Sequence, residues 1–262
     1  MPLPAPSPDV LDFVARAAEA YAKLIASPHA DPESGLGGKL FYAGEMDDEG
    51  RALVVAANIA GAATLVASAD LAAQKQAIRD AIADFLVTSL DEALRILKNQ
   101  LRKRETVSVC VVMSPAAMER EMNERGVEPD LLRRDIPIAP LQEALVHHEG
   151  DHDETDLTGI PALVIWRVDS AHRKGFAVLD AIALECLDAE DWRARRWLRL
   201  VPRYLGRLAQ DLRLLSTHRE FAARFSEQVA ASVDRGEIAF PCEILSYVRG
   251  LEDRHCFEPT KP

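Results

Sequence analysis

The chain has 262 residues, a formal net charge of −11, and ordinary shares of hydrophobic (48%) and charged (28%) side chains, which exclude wholesale disorder and allow one large core or two small ones. The acidic balance works against nucleic acid and anionic lipid as partners. No apolar run approaches the length that spans a bilayer, so no membrane partner is expected.

The opening Met1-Pro-Leu-Pro-Ala-Pro-Ser-Pro lacks the basic and apolar regions of a signal peptide, and a cytoplasmic location is expected. Cys110, Cys186, Cys242 and Cys256 form no CxxC pair and are expected as reduced thiols, with Cys110 packed inside the apolar run Val107–Val112.

In chain order, Val10, Phe13, Val14, Ala17, Tyr21, Leu24 and Ile25 recur in steps of three and four, predicting a helix over 9–26 with Asp9 as its cap. Pro28 to Gly38 reads as a loop. Lys39–Ala43 predicts a strand, Asp47–Gly50 a turn, and Arg51–Gly61 a buried helix of small residues. Ala63–Ala67 is a second strand, 70–84 a helix, and Phe85–Thr88 a third strand. Ser89, with Glu92 at the capping-box position, opens a helix to about residue 103. Val107–Met113 is a fourth strand, and Ser114 caps a helix that Gly126 stops. This alternation predicts an α/β fold: a Rossmann-like parallel sheet with flanking helices over residues 1–140.

Residues 141–160 read as an acidic, His-rich loop, and 161–262 as a strand at Ala162–Val168 followed by a mainly helical part, with a core of its own or one shared with the first part. One helix there is capped by Asp188 or Asp191. Another has Pro202 in its first turn and carries Tyr204, Leu205, Leu208, Leu212 and Leu215 on one face. Thr217-His-Arg-Glu220 is a capping box for a last helix, with Phe221, Phe225, Val229 and Val233 inward and Gly236 as its stop.

Three constellations could carry chemistry. His147, His148 and His152 lie among carboxylates and are candidate metal ligands, although no HExxH spacing appears and a solvated linker explains them as well. Asp169 and His172 follow a strand and are candidate catalytic residues, with strand termination as the plain alternative for Asp169. Arg196, Arg199 and Arg203, in an arginine run from Arg193 to Arg213, are candidates for a small anionic ligand, or simply a solvated helix face.

Four stretches then stand in register: Leu36-Gly-Gly-Lys-Leu40, Ala56-Ala-Asn-Ile-Ala-Gly-Ala62, Ser89-Leu-Asp-Glu-Ala-Leu-Arg95 and Arg125-Gly-Val-Glu-Pro-Asp130. Together they resemble the NAD-binding segment of urocanase (urocanate hydratase) over roughly residues 10–132, divergently and in part. The resemblance implies a dinucleotide-binding fold and an enzyme that adds water to urocanate through a tightly held NAD. The departures are as telling. Where that family has a Gly-Gly-x-Gly-Gly-Ala-Gln loop, this chain reads Asp47-Asp-Glu-Gly-Arg-Ala-Leu53, with three carboxylates where a pyrophosphate would lie. Gly50, Arg51 and Asp70 remain as candidate cofactor contacts, Asp70 being equally an N-cap. The family's Thr-Asp-Gln-Thr-Ser-Ala-His-Asp motif is absent after Asp130. The reading is therefore a urocanase-like α/β protein with no cofactor expected and NAD disfavoured, though an altered mode through Gly50 and Arg51 stays open. It would act as a ligand-binding or protein-interaction module, with a homodimer as one assembly open to it. The alternative is a lyase or hydrolase with a sheet-edge site or a bound metal.

Overall fold

A computed structural model describes residues 3, 6–139, 161–248 and 251–258. They fall into two compact units: Arg16–Ile138 with Arg203–Leu208, and the remainder.

The first unit holds the strands β1 (Leu40–Glu45), β2 (Ala63–Ser68), β3 (Phe85–Val87), β4 (Val107–Val112) and β5 (Leu131–Leu132) in one parallel sheet of order β3-β4-β2-β1-β5. Helices α2 (Asp48–Ala60), α3 (Leu71–Arg79), α4 (Leu90–Lys103) and α5 (Pro115–Glu124) make the crossovers. The period-two alternation of each strand splits its side chains between two covered faces. Leu40, Tyr42, Leu65, Val109 and Val111 pack with Leu90, Leu97, Met118 and Met122 of α4 and α5. On the other face Asn58 of α2 reaches the Ile82 carbonyl and the Ser108 hydroxyl, 3.4 and 3.5 Å away. The expected Rossmann-like architecture is thus observed, and the caps Ser89 and Ser114 accept from the N–H groups of Glu92 and Ala117 as predicted.

The four stretches that carried the resemblance are the joints of this unit. Leu36 donates its N–H to the Ala60 carbonyl at the end of α2 (2.7 Å). Asp130 accepts from the Leu40 N–H (2.8 Å) and pairs with Lys39 (3.1 Å), holding β5 beside the start of β1. Arg125, past the end of α5, pairs with Asp91 in the first turn of α4.

Helix α1 (Pro8–Ile25) begins one residue before Asp9, so Asp9 lies in its first turn rather than at its cap.

The second unit is built on an antiparallel sheet of order β7-β6-β8-β9: β6 (Pro161–Val168), β7 (Leu212–His218), β8 (Cys242–Val248) and β9 (Leu251–Phe257). Helices α6 (Phe176–Cys186), α7 (Trp192–Tyr204) and α8 (Arg219–Asp234) accompany it. Trp166 packs edge-on against Phe225 of α8 with ring centres 5.1 Å apart.

Here the helical expectation needs correction. Leu212 and Leu215 do not continue a helix begun at Pro202. Pro202 lies near the end of α7, and Leu212–His218 is a strand. Leu208, Leu212 and Leu215 suit a helix stripe, but Leu212 and Leu214 also alternate with Arg213 and Leu215, and pairing with β6 decides between the periods. Thr217 is strand, so the capping box does not form: α8 starts at Arg219, and His218 caps it without a side-chain bond. Strands β8 and β9 were not expected. Glu252, Asp253 and Arg254 are exposed on β9, an edge strand, where such charges discourage further pairing.

Among the described residues no helix is long and apolar enough to cross a membrane.

Candidate functional site

In the parallel sheet the chain leaves β1 through α2 for β2 on one side, and returns through α5 to β5 on the other. Strand order reverses between β1 and β5, and a crevice opens at the carboxyl ends of two strands whose connections diverge. A cleft of ≈ 680 Å³ lies there, lined by Tyr42 and Gly44 of β1, Glu49 of α2, Glu119 and Met122 of α5, Leu132 of β5 and Arg133 just after it, among others.

The first turn of α2 shapes one wall. Asp47 caps the helix by accepting the Gly50 N–H at 2.7 Å. Gly50 must be glycine, because a Cβ there would stand 1.8 Å from the Glu45 carbonyl oxygen. Arg133 then closes over the turn. Its Nη1 and Nη2 meet the Asp47 carboxylate at 3.1 and 3.0 Å, and Nη2 also lies 3.0 Å from Glu49. Burial alone would lower the Arg133 pKa, but the Asp47 and Glu49 carboxylates outweigh it and raise the value. The stem of Arg133 passes over Gly44, where a Cβ would come within 3.0 Å of Cδ.

This arrangement does not fit a pyrophosphate. The helix N-terminus that would face a phosphate already faces the chain's own Asp47 carboxylate, and the nearest guanidinium is held by two acids. Arg51, the cation expected to compensate, pairs instead with Asp80 at 2.6 Å. Asp70 caps α3 by accepting the Ala72 N–H at 2.8 Å.

Tyr42 supplies the cleft's other notable group. The residue is 4% exposed, and its buried hydroxyl has no partner in hydrogen-bonding geometry. Burial first, then the charge of nearby Glu119 and the pull of its carboxylate on the phenol proton, push its pKa above the ordinary phenol value, so it stays a neutral phenol.

The remaining candidates are dispersed. Asp169 caps the short 3-10 turn Ser170–Gly175 by accepting the Ala171 N–H at 2.7 Å; its carboxylate lies 4.0 Å from His172 Nδ1, and both are exposed. The His172 ring stacks near Phe240. On α7, Arg199 and Arg203 are exposed, Arg203 lying over the Tyr204 ring, and Arg196 is half-buried. Arg213, placed by its sequence in the same helical run, is on β7, buried over the Phe176 ring and paired with Asp180 at 3.3 Å. His147, His148 and His152 lie outside the described residues. Among those described, no three His, Cys, Asp or Glu side chains are grouped to hold a metal ion. Cys110 and Cys242 are buried, and burial pushes their thiols up to about 11 and about 12.

Sequence reasoning gave Arg133 and Tyr42 no role. Arg133 follows a two-residue strand too short to show a period, and Tyr42 sits in an apolar run that reads as core. The available signal was the surplus of acids at Asp47–Glu49, which called for a cation from elsewhere in the chain.

Residues 20–136 match the family model of the urocanase Rossmann-like domain. The chain is also similar to S-methyl thiourocanate hydratase from Variovorax sp. (strain JCM 16519 / RA8), 27% identical over 122 residues. That match takes in 47% of this chain and 22% of the hydratase, so the likeness is confined to a domain. The resemblance read from the four stretches is borne out by both comparisons.

Proposed function

We propose, starting from residues 20–136 as a urocanase-type Rossmann-like domain, that this chain is a ligand-binding or interaction module that works without NAD. One observation carries the reading: Arg133 clamps Asp47 and Glu49 over the first turn of α2. A dinucleotide would have to break that clamp and bring two phosphate charges against Asp47, Asp48 and Glu49. The cleft between β1 and β5 remains the natural ligand seat of the fold.

The test is the mass of protein purified without added ligand, recorded under native and denaturing conditions, with elemental analysis of the same sample. A bare chain is expected. A native excess matching NAD, released on denaturation, would overturn the reading and favour a hydratase of the kind its relative is named for. Stoichiometric metal would favour the lyase or hydrolase alternative. The same native spectrum reads whether the chain forms a homodimer.

A further inference from the structure

We infer that the cleft between β1 and β5 takes a small organic cation, an ammonium group on a compact apolar body, with its N–H donors directed at the Tyr42 hydroxyl oxygen and the Glu119 carboxylate. The inference rests on the reading of this cleft as the ligand seat and adds the chemistry of the ligand.

Three observations converge. The first is the Tyr42 hydroxyl, buried in the wall of the cleft beside the Glu119 carboxylate but with no partner in full hydrogen-bonding geometry. Buried polar groups are nearly always satisfied, and one that is not marks a place where a ligand atom can complete the set. A neutral phenol oxygen offers lone pairs to an incoming donor.

The second is charge. Glu49, Glu119 and Glu128 line the cleft against Arg133 and Arg134, three carboxylates to two guanidiniums. Arg133 is already held by Asp47 and Glu49. Glu119 and Glu128 have no ion-pair partner among the described residues, so the carboxylates available to a ligand outnumber the single exposed guanidinium of Arg134. An anion would meet this local excess and a chain of net charge −11; a cation is drawn by both.

The third is the apolar lining. Met122, Val127 and Leu132 are buried or half-buried beside the acids, and ≈ 680 Å³ is room for a small molecule. An ammonium on an apolar body matches a surface of carboxylates over hydrocarbon.

The test is a series with one ring and three charges. The full chain is titrated with benzylammonium chloride, benzyl alcohol and sodium benzoate, and the backbone amide signals of β1, α5 and the residues after β5 are followed. Benzylammonium should shift them with an affinity roughly tenfold or more above benzoate. Tyr42→Phe should weaken it about fivefold. Glu119→Gln should weaken it about threefold, the effect shrinking as salt rises, because Glu119 is exposed. Glu124→Gln, on the same helix but off the cleft, should change nothing. If Tyr42→Phe fails to fold, the exposed Glu119 variant still decides. Benzoate or benzyl alcohol binding the cleft as tightly as benzylammonium would overturn the cation while leaving the ligand seat standing. None of the three shifting these signals would overturn the inference, and NAD in the purified protein would sink the reading beneath it as well.

Discussion

Arg133 Nη2 lies 3.0 Å from an oxygen of Asp47 and 3.0 Å from one of Glu49, so a residue just after β5 neutralises the first turn of α2 across 84 or more positions of sequence. The carboxylates that make this turn unlike a phosphate loop are therefore part of the fold's own joint. Their repulsion is relieved inside the unit, without a ligand.

A double-mutant cycle tests the joint. Arg133→Met keeps the stem over Gly44 and removes the charge, while Asp47→Asn keeps a capping oxygen. Arg133 is 24% and Asp47 45% exposed, so screening limits what the pair can contribute. We expect each single change to cost about 1 kcal/mol in urea unfolding, with a coupling between them of roughly 0.5–1 kcal/mol. Strict additivity would mean the guanidinium does not act on the Asp47 cap.

Gly50 sets a second prediction. Its Cβ would stand 1.8 Å from the Glu45 oxygen, so Gly50→Ala must displace backbone, and we expect a loss of about 3 kcal/mol or more. Gly126 is the control. It has a positive φ of 63° but nothing within 4 Å of its Cβ, so Gly126→Ala should cost about 1 kcal/mol. Equal melting temperatures for the two variants would refute the steric account of the turn.

The contrast between the two units shows what the sequence makes legible. The parallel sheet could be read because each strand is a short apolar run followed by a well-signalled helix, as Ser89 and Ser114 illustrate at their caps. These signals are local, and they survive without knowledge of partners. The antiparallel sheet depends on pairing. Leu212–His218 fits either period until β6 lies beside it, and Leu251–Phe257 is so charged that only its hydrogen bonds to β8 make it a strand. The candidate site divides in the same way. The acids at Asp47–Glu49 were visible, but the cation that answers them comes from just after β5, and the burial of Tyr42 beside Glu119 requires α5 to be in place.

Asp130 gives a pH dependence with a defined sign. Burial raises its pKa, but the Leu40 N–H and the Lys39 ammonium outweigh it, so the folded value lies below the ordinary 3.8. A depressed carboxylate stabilises the fold above its unfolded pKa and loses that contribution as pH falls through the folded value. Asp130→Asn removes the charge and keeps an acceptor for Leu40. The stability gap between wild type and variant should therefore be full at neutral pH and shrink as pH falls below about 4. Urea midpoints at pH 7 and pH 3 measure it, and a gap that stays constant would show that the Asp130 charge does not hold β5 to β1.

In the second unit Arg167 and Glu243 face each other across β6 and β8, 3.0 Å apart and 4% and 2% exposed. Glu243 also lies 3.5 Å from Arg254 and 3.8 Å from the Cys256 sulfur. Taking two charges out of water is costly, and their attraction roughly offsets it, so the pair adds little net stability while neither member tolerates loss of the other. Glu243→Gln leaves a buried guanidinium short of its counter-charge, and we expect a cost of about 3 kcal/mol. Arg167→Met leaves Glu243 with Arg254 as its remaining cation, an exposed one, and should cost somewhat less. The double variant Arg167→Met/Glu243→Leu should recover most of either loss, because a well-packed apolar pair replaces an ion pair of similar size. Urea unfolding of the four proteins measures this. Losses that simply add in the double variant would mean that Arg167 and Glu243 each hold the sheet through other contacts and not through one another.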